Sequence, residues 1–466
     1  MAGTAPLTKG LDGLGLASLS VLILQVSTQF LPFFVVLQYL TPTRAILAVG
    51  LVAAIGKQAL ARRGNGWRGA RQALAQSRLL LVCITLLLLW YAIATGMSGS
   101  LTSFSVLRLR LEELLAFGLA ILTLDSKSKF RAIGLVVAVA VAAVSLQAIA
   151  QFGEGQNTNY FLIWQQGWQT RNAIAMPEGA IPRVVGYFDN PNVLAAYLLL
   201  LGPLAAVPVT AASSARWRAP QWALGVLVVL ALVALVLTFS RGAILALVVG
   251  IGAVWVRTKP LEVGALALLA IALLANPLSL DRLSTGQARL TAWQIALDSI
   301  QQNPLFGIGL GNFRERAVNV YGEPFWHAHN LFLNVAAEAG IVASLLLLGV
   351  FIAALRQAWM LSRQSGSGAA LGRAFAIALV GFGLASLLDN PYNAMPVSYA
   401  FWLLLGLLVA ARNIWSKRSP PGKLRQHRQA SLRRERARSA VRTAAAPNAC
   451  RSPSLAAPVV IAGVLH

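Results

Sequence analysis

The chain has 466 residues, 57% of them hydrophobic and 12% charged, with a mean hydropathy of +0.67 and a formal net charge of +24. No soluble domain has that balance, so water-soluble enzymes and binding modules are excluded. The positive charge is spread over loops and a tail rather than gathered on one domain, and no nucleic acid is expected as a partner.

Apolar runs near bilayer-crossing length recur along the chain and predict an all-α polytopic membrane protein with about 12 transmembrane helices. They fall near 14–40, 43–60, 78–97, 106–124, 130–152, 188–210, 221–239, 242–256, 260–276, 331–356, 372–388 and 396–412. The run after Lys9 is too long for the apolar core of a signal peptide and lacks a small-residue cleavage site, so it reads as a first span. A single helix over 221–256 would be about 54 Å long against an apolar core of ~30 Å, so a turn is expected at Ser240-Arg241-Gly242. Cys83 lies in the third span and Cys450 in the tail, and the two cannot form a structural disulfide.

With the N-terminus in the cytoplasm, 29 of the 39 lysines and arginines fall on inner segments and 8 on outer ones, while Arg108 and Arg110 lie in the fourth span. That asymmetry predicts a multi-pass membrane protein with both termini cytoplasmic. Residues 1–412 form the expected transmembrane domain. Residues 413–466, rich in Arg, Ser, Ala and Pro, form a basic tail that reads as disordered and adsorbed to anionic lipids. Two outer segments, 153–187 and 277–330, are long. Within the second, 287–300 spaces its apolar residues as a surface helix, with Leu290, Trp293, Ile295, Ala296 and Ile300 along one side.

Arg183, Arg241 and Arg289 all lie on the outer side, against the positive-inside trend. Each is read either as a snorkelling anchor or as a phosphate ligand, since a guanidinium holds phosphate oxygens with a rigid fork of donors. The outer loop ends in Trp326-His327-Ala328-His329-Asn330-Leu331. His329 there is a candidate base, or a neighbour of an N-capping Asn330. His327 and His329 also raise metal binding, but no cysteine, third histidine or spaced carboxylate pair supports a site, and no metal is expected. Asn190-Pro191-Asn192 and Asp389-Asn390-Pro391-Tyr392 read as backbone punctuation. Glu338, inside an apolar helix, needs a partner, and an outer-face arginine is expected; Glu112 and Glu113 are expected to pair with Arg108 and Arg110.

Four segments, RVVGYFDNPNVLAAYLLLL, TFSRGAILALVVG, RLTAWQIALDSIQQNPLFGIGLGNF and HAHNLFLNVAAEAGIVASLLLLG, resemble the core of the bacterial O-antigen ligase/polymerase superfamily and span about 183–349. The resemblance implies a GT-C-like, metal-independent glycosyltransferase without cofactors. Such an enzyme moves a glycan from an undecaprenyl diphosphate carrier to a lipid or glycan acceptor hydroxyl on the outer leaflet, among membrane lipids. It implies His329 as catalytic base and Arg241, Arg289 and Arg183 as substrate-binding residues, with Glu338 beside them. Two further readings share these residues: a repeat-unit polymerase, and a bicarbonate transporter of the same superfamily.

Overall fold

The computed structural model describes residues 4–28, 41–60, 67–155, 183–207, 221–255 and 283–416, together with the single residues 261 and 264. The described helices are α1 (Thr4–Thr28), α2 (Pro42–Leu60), α3 (Arg68–Gln76), α4 (Arg78–Ser98), α5 (Leu101–Thr123), α6 (Lys127–Glu154), α7 (Pro191–Ala205), α8 (Gln221–Leu237), α9 (Arg241–Trp255), α10 (Leu283–Gln302), α11 (Phe313–Tyr321), α12 (Leu331–Ser362), α13 (Ser367–Ala385) and α14 (Met395–Ser416). A short 3-10 turn, Pro391–Asn393, links α13 to α14. The protein is an all-helical, polytopic membrane protein.

Among the described residues, α1, α2, α4, α6, α12, α13 and α14 are long and apolar enough to cross a bilayer. Helix α5 has 23 residues but carries four charges, and α7, α8 and α9 are apolar but only 15–17 residues long. The number twelve is therefore not reproduced, and the expected ninth span, 260–276, lies almost wholly outside the described residues. The first helix begins at Thr4 rather than near 14. Its early turns tolerate polar residues because Asp12 pairs with Lys57 of α2 and Lys129 of α6. The last helix runs to Ser416, past the expected boundary at 412; the rest of the tail, 417–466, and most of the 153–187 segment lie outside the described residues.

Chain direction alternates, so the loops expected on one side meet at one end of the bundle. There Val184 N–H donates to Leu237 O, Ser103 Oγ to Leu310 O and Leu331 N–H to Ser386 O. At the other end Ser77 Oγ bonds Gln357 and Arg412 donates to Gln76 O. Helix α14 lies in the core, with Tyr399, Phe401 and Trp402 almost fully buried. The α5 charges pair at the expected helical spacing, and Glu112 also pairs with Arg44 of α2 at 3.0 Å. Arg110 pairs with Glu113 at 2.9 Å and Arg108 with Glu112 at 3.5 Å. Glu113 also accepts from Ser398, and the Arg110 guanidinium lies 4.3 Å from the centre of the Tyr392 ring.

Helix α12 is broken at Gly340, whose φ of 87° lies in the region open to glycine. The break receives the loop 304–309. Ile308 and Gly309 N–H donate to Ala337 and Glu338 O, Ile341 N–H donates to Pro304 O, and the Trp90 indole donates to Ala339 O. The carbonyls of Ala337, Glu338 and Ala339 are thus paired, as an apolar surrounding demands. Glu338 takes part in the same junction: it is buried and accepts the N–H groups of Gly311 and Phe313. Among the described residues no guanidinium hydrogen-bonds it, and Arg110 acts on it only through its charge. Backbone donors at the start of α11 satisfy the carboxylate instead, since they are closer than any guanidinium and the helix start leaves them free.

The expected surface helix forms as α10, but its buried side is Ala292, Ile295, Ala296 and Ser299, while Leu290 is exposed. Packing against α12 selects a face offset from the purely apolar stripe. Ile295 and Ala296 join Phe313, Ala317, Ala328 and Ala337 in a small second core. That core ties α10, α11 and the loop ahead of His329 to the first turns of α12.

Candidate active site

The backbone around His329 is held at several points before its side chain is considered. Asn330 caps α12, its Oδ1 accepting the N–H groups of Phe332 and Leu333 at 3.0 Å each. Its Nδ2 donates to Leu387 O, and Asn334 accepts the Ala328 N–H. His329 itself has a φ of +47°, uncommon for a residue with a Cβ. The cap and the left-handed turn together aim the imidazole away from the helix and into a cleft.

That cleft holds about 290 Å³ and is lined by Arg183, Arg241, Arg289, His329, Asn192 and Asp389, with the α8–α9 turn as one wall. The turn is tight: Phe239 has a φ of +50° and Arg241 begins α9, so its guanidinium adds to the positive end of the helix. Arg241 Nη2 is buried and has no hydrogen-bond partner among the described residues. A buried donor of this kind calls for an anionic acceptor. Three guanidiniums and one carboxylate leave the cleft positive.

A chain of hydrogen bonds crosses it. Arg183 donates from Nε to Thr238 O at 2.7 Å and from Nη2 to Asn192 Oδ1 at 3.0 Å. Asn192 Nδ2 donates to Asp389 Oδ2 at 2.6 Å, and Asp389 Oδ1 lies 3.1 Å from His329 Nδ1. Burial works against the Asp389 carboxylate, but the His329 bond, the charges of both histidines and the Asn390 N–H outweigh it and hold its pKa down to about 2. With Nδ1–H donated to Asp389, the His329 Nε2 carries the lone pair. This is the geometry of an oriented general base.

Residues 226–348 match the family model of the O-antigen ligase domain. That stretch, within which Arg241, Arg289 and His329 fall, is similar to the O-antigen ligase domain. No curated protein matches the chain. The O-antigen ligase match contains Arg241, Arg289, His329 and Glu338, whereas Arg183, Asn192 and Asp389 lie outside it and reach the cleft through the fold. Of the expected site residues, Arg183, Arg241, Arg289 and His329 come together. Glu338 does not line the cleft; it lies under the 304–313 loop.

Asp389 and Asn192 were assigned only to backbone punctuation by sequence reasoning. The signal that pointed further was position: both sit at span boundaries on the same side as His329, and one is a carboxylate beside outer arginines. Asp389 also supplies the third ligand that a metal site lacked in the sequence, because its carboxylate and the two histidines present ligand atoms within 4.8 Å of one another. Those atoms are already engaged. His327 Nδ1 accepts the His329 N–H at 3.2 Å, His329 Nδ1 faces Asp389, and both Asp389 oxygens accept hydrogen bonds. His327, largely buried, has its pKa pushed by that burial down to about 4 despite the nearby carboxylate.

Proposed function

We propose that the chain transfers a glycan from an undecaprenyl diphosphate carrier to an acceptor hydroxyl at the outer face of the bacterial inner membrane, in the manner of an O-antigen ligase. The observation that carries this reading is the His329–Asp389 pair facing a cleft with three arginines. His329 Nε2 takes the acceptor proton as the oxygen bonds to C1 of the sugar. The C1–O bond to the diphosphate breaks, and the charge left there falls to Arg241 and Arg289. Asp389 stabilises the imidazolium that forms, and Arg183, engaged with Thr238 and Asn192, positions the Asn192–Asp389 arm. No metal enters the step.

A lipid-linked donor is supported by α9. Leu245 and Val249 are exposed one and two turns beyond Arg241 on the same helix face, an apolar track leading away from the cleft. A transporter would use the broken helix α12 to coordinate an ion. The carbonyls of Ala337, Glu338 and Ala339 are already engaged by Ile308, Gly309 and Trp90, which favours chemistry over translocation.

The test is transfer by protein in lipid nanodiscs, with lipid-linked donor extracted from native membranes and a hydroxyl acceptor. His329→Ala should lower the rate by about 10²–10⁴-fold, and chelator should leave the wild type unaffected. Reporters fused after residue 300 should read outside, and after residue 420 inside. Undiminished transfer by His329→Ala, or an internal residue 300, removes the reading.

A further inference from the structure

Trp326 takes no part in the cleft described above. It stands three residues before His329, is 63% exposed, and has the Arg314 guanidinium carbon 3.2 Å from its ring centre. One face of the indole is therefore covered by a cation and the other is open. The ring stands beside the cleft in the chain, with its two sequence neighbours turned toward His329. Phe325, its neighbour, meets the His329 ring edge-on at 6.4 Å, and the His327 and His329 rings lie 4.5 Å apart.

We propose that Trp326, with Arg314 stacked behind it, is a glycan-binding platform that seats a sugar ring of the chain leading into the cleft; this rests on the reading that a glycan is the substrate. A pyranose ring has a face of C–H groups with partial positive charge, and the indole face is negative. Arg314 fixes the ring against rotation, so less freedom is lost on binding, and its fork of donors can hold hydroxyl or acidic groups at the sugar's edge. An exposed tryptophan in a membrane protein has another common use, as an anchor at the lipid interface. The stacked guanidinium argues against it. Helix α11, which supplies Arg314, exposes Glu315 and Asn319 beside Val318 and Val320, a mixed surface, so the stacked guanidinium is the observation that favours a platform.

The experiment compares wild type with Trp326→Ala, Trp326→Leu, Trp326→Phe and His329→Ala in nanodiscs. The probe is the water-soluble oligosaccharide released by mild acid from the lipid-linked donors of native membranes, with binding read by saturation-transfer NMR. Ala and Leu should each weaken binding by about tenfold or more, the scale of one aromatic contact. Phe should keep most of it, and His329→Ala should keep the dependence on Trp326 while losing transfer. In the transfer assay Trp326→Ala should raise KM for the glycan with kcat little changed. Dependence on Trp326 in a protein that transfers nothing would keep the platform and remove the transfer reading. Equal binding by wild type and Ala, full binding by Leu, or no binding by wild type overturns the platform. Glycan binding kept by Ala with weakened attachment to the bilayer would mark an interfacial anchor instead.

Discussion

Asp389 Oδ1 lies 3.1 Å from His329 Nδ1, across 60 residues of chain. The contact sets the tautomer of the imidazole, and Asn192 on a third segment sets the carboxylate. Asp389→Asn keeps the shape but can present an N–H₂ to Nδ1, which would turn the lone pair away from the cleft. Transfer by this variant should fall by about 10²–10⁴-fold, with glycan binding retained. A wild-type rate would mean that the pair is structural only.

Arg241 Nη2 is a buried donor that awaits an acceptor. Lysine preserves the charge but not the two-pronged fork. Both Arg241→Lys and Arg289→Lys are expected to lose about tenfold or more in kcat/KM, on the scale of a charge-assisted hydrogen bond. Steady-state kinetics with varied lipid-linked donor checks this, and unchanged kinetics in both would leave the arginines as interfacial anchors.

The break in α12 rests on a hydrogen at Gly340. An added Cβ would collide with the Leu305 carbonyl, and the φ of 87° is strained for any side chain. Gly340→Ala should therefore destabilise the protein severely in a thermal unfolding assay. Gly118→Ala, with nothing near its position, should be neutral or slightly stabilising, as expected of an ordinary helix site. Equal melting of the two variants would contradict the packing of the 304–309 loop.

Acidification acts through His327. Its folded pKa of about 4 lies below the usual 6.5, so between those values the unfolded chain binds a proton that the folded one does not. Stability from this group is present above pH 6.5 and is lost as pH falls toward 4. His327→Gln should narrow the difference in melting temperature between pH 7.5 and pH 4.5. Asp389, held near 2, stays ionised throughout that range and should contribute nothing to it.

Much of this molecule was legible in its residues. A turn between α8 and α9 followed from bilayer thickness, though it falls at 238–240 rather than at Ser240-Arg241-Gly242, the α5 ion pairs from helical spacing, and the Asn330 cap from side-chain chemistry. Arg183, Arg241, Arg289 and His329 could be grouped because each stood on the same side of the predicted spans. Such features are local, or depend only on counting apolar length and charge.

What the sequence could not decide is which local features meet. Asp389 and Asn192 each look like a turn residue beside a proline, and only the packing of α7 and α13 brings them to His329. Glu338 looked like a partner for arginine, yet the unwinding at Gly340 places backbone N–H groups against it. The face of α10 that is buried was likewise chosen by α12 and not by its own apolar stripe. Distance along the chain carries no information about such contacts. They arise when helices pack, because buried polar groups must then find whatever partner the neighbouring segment supplies.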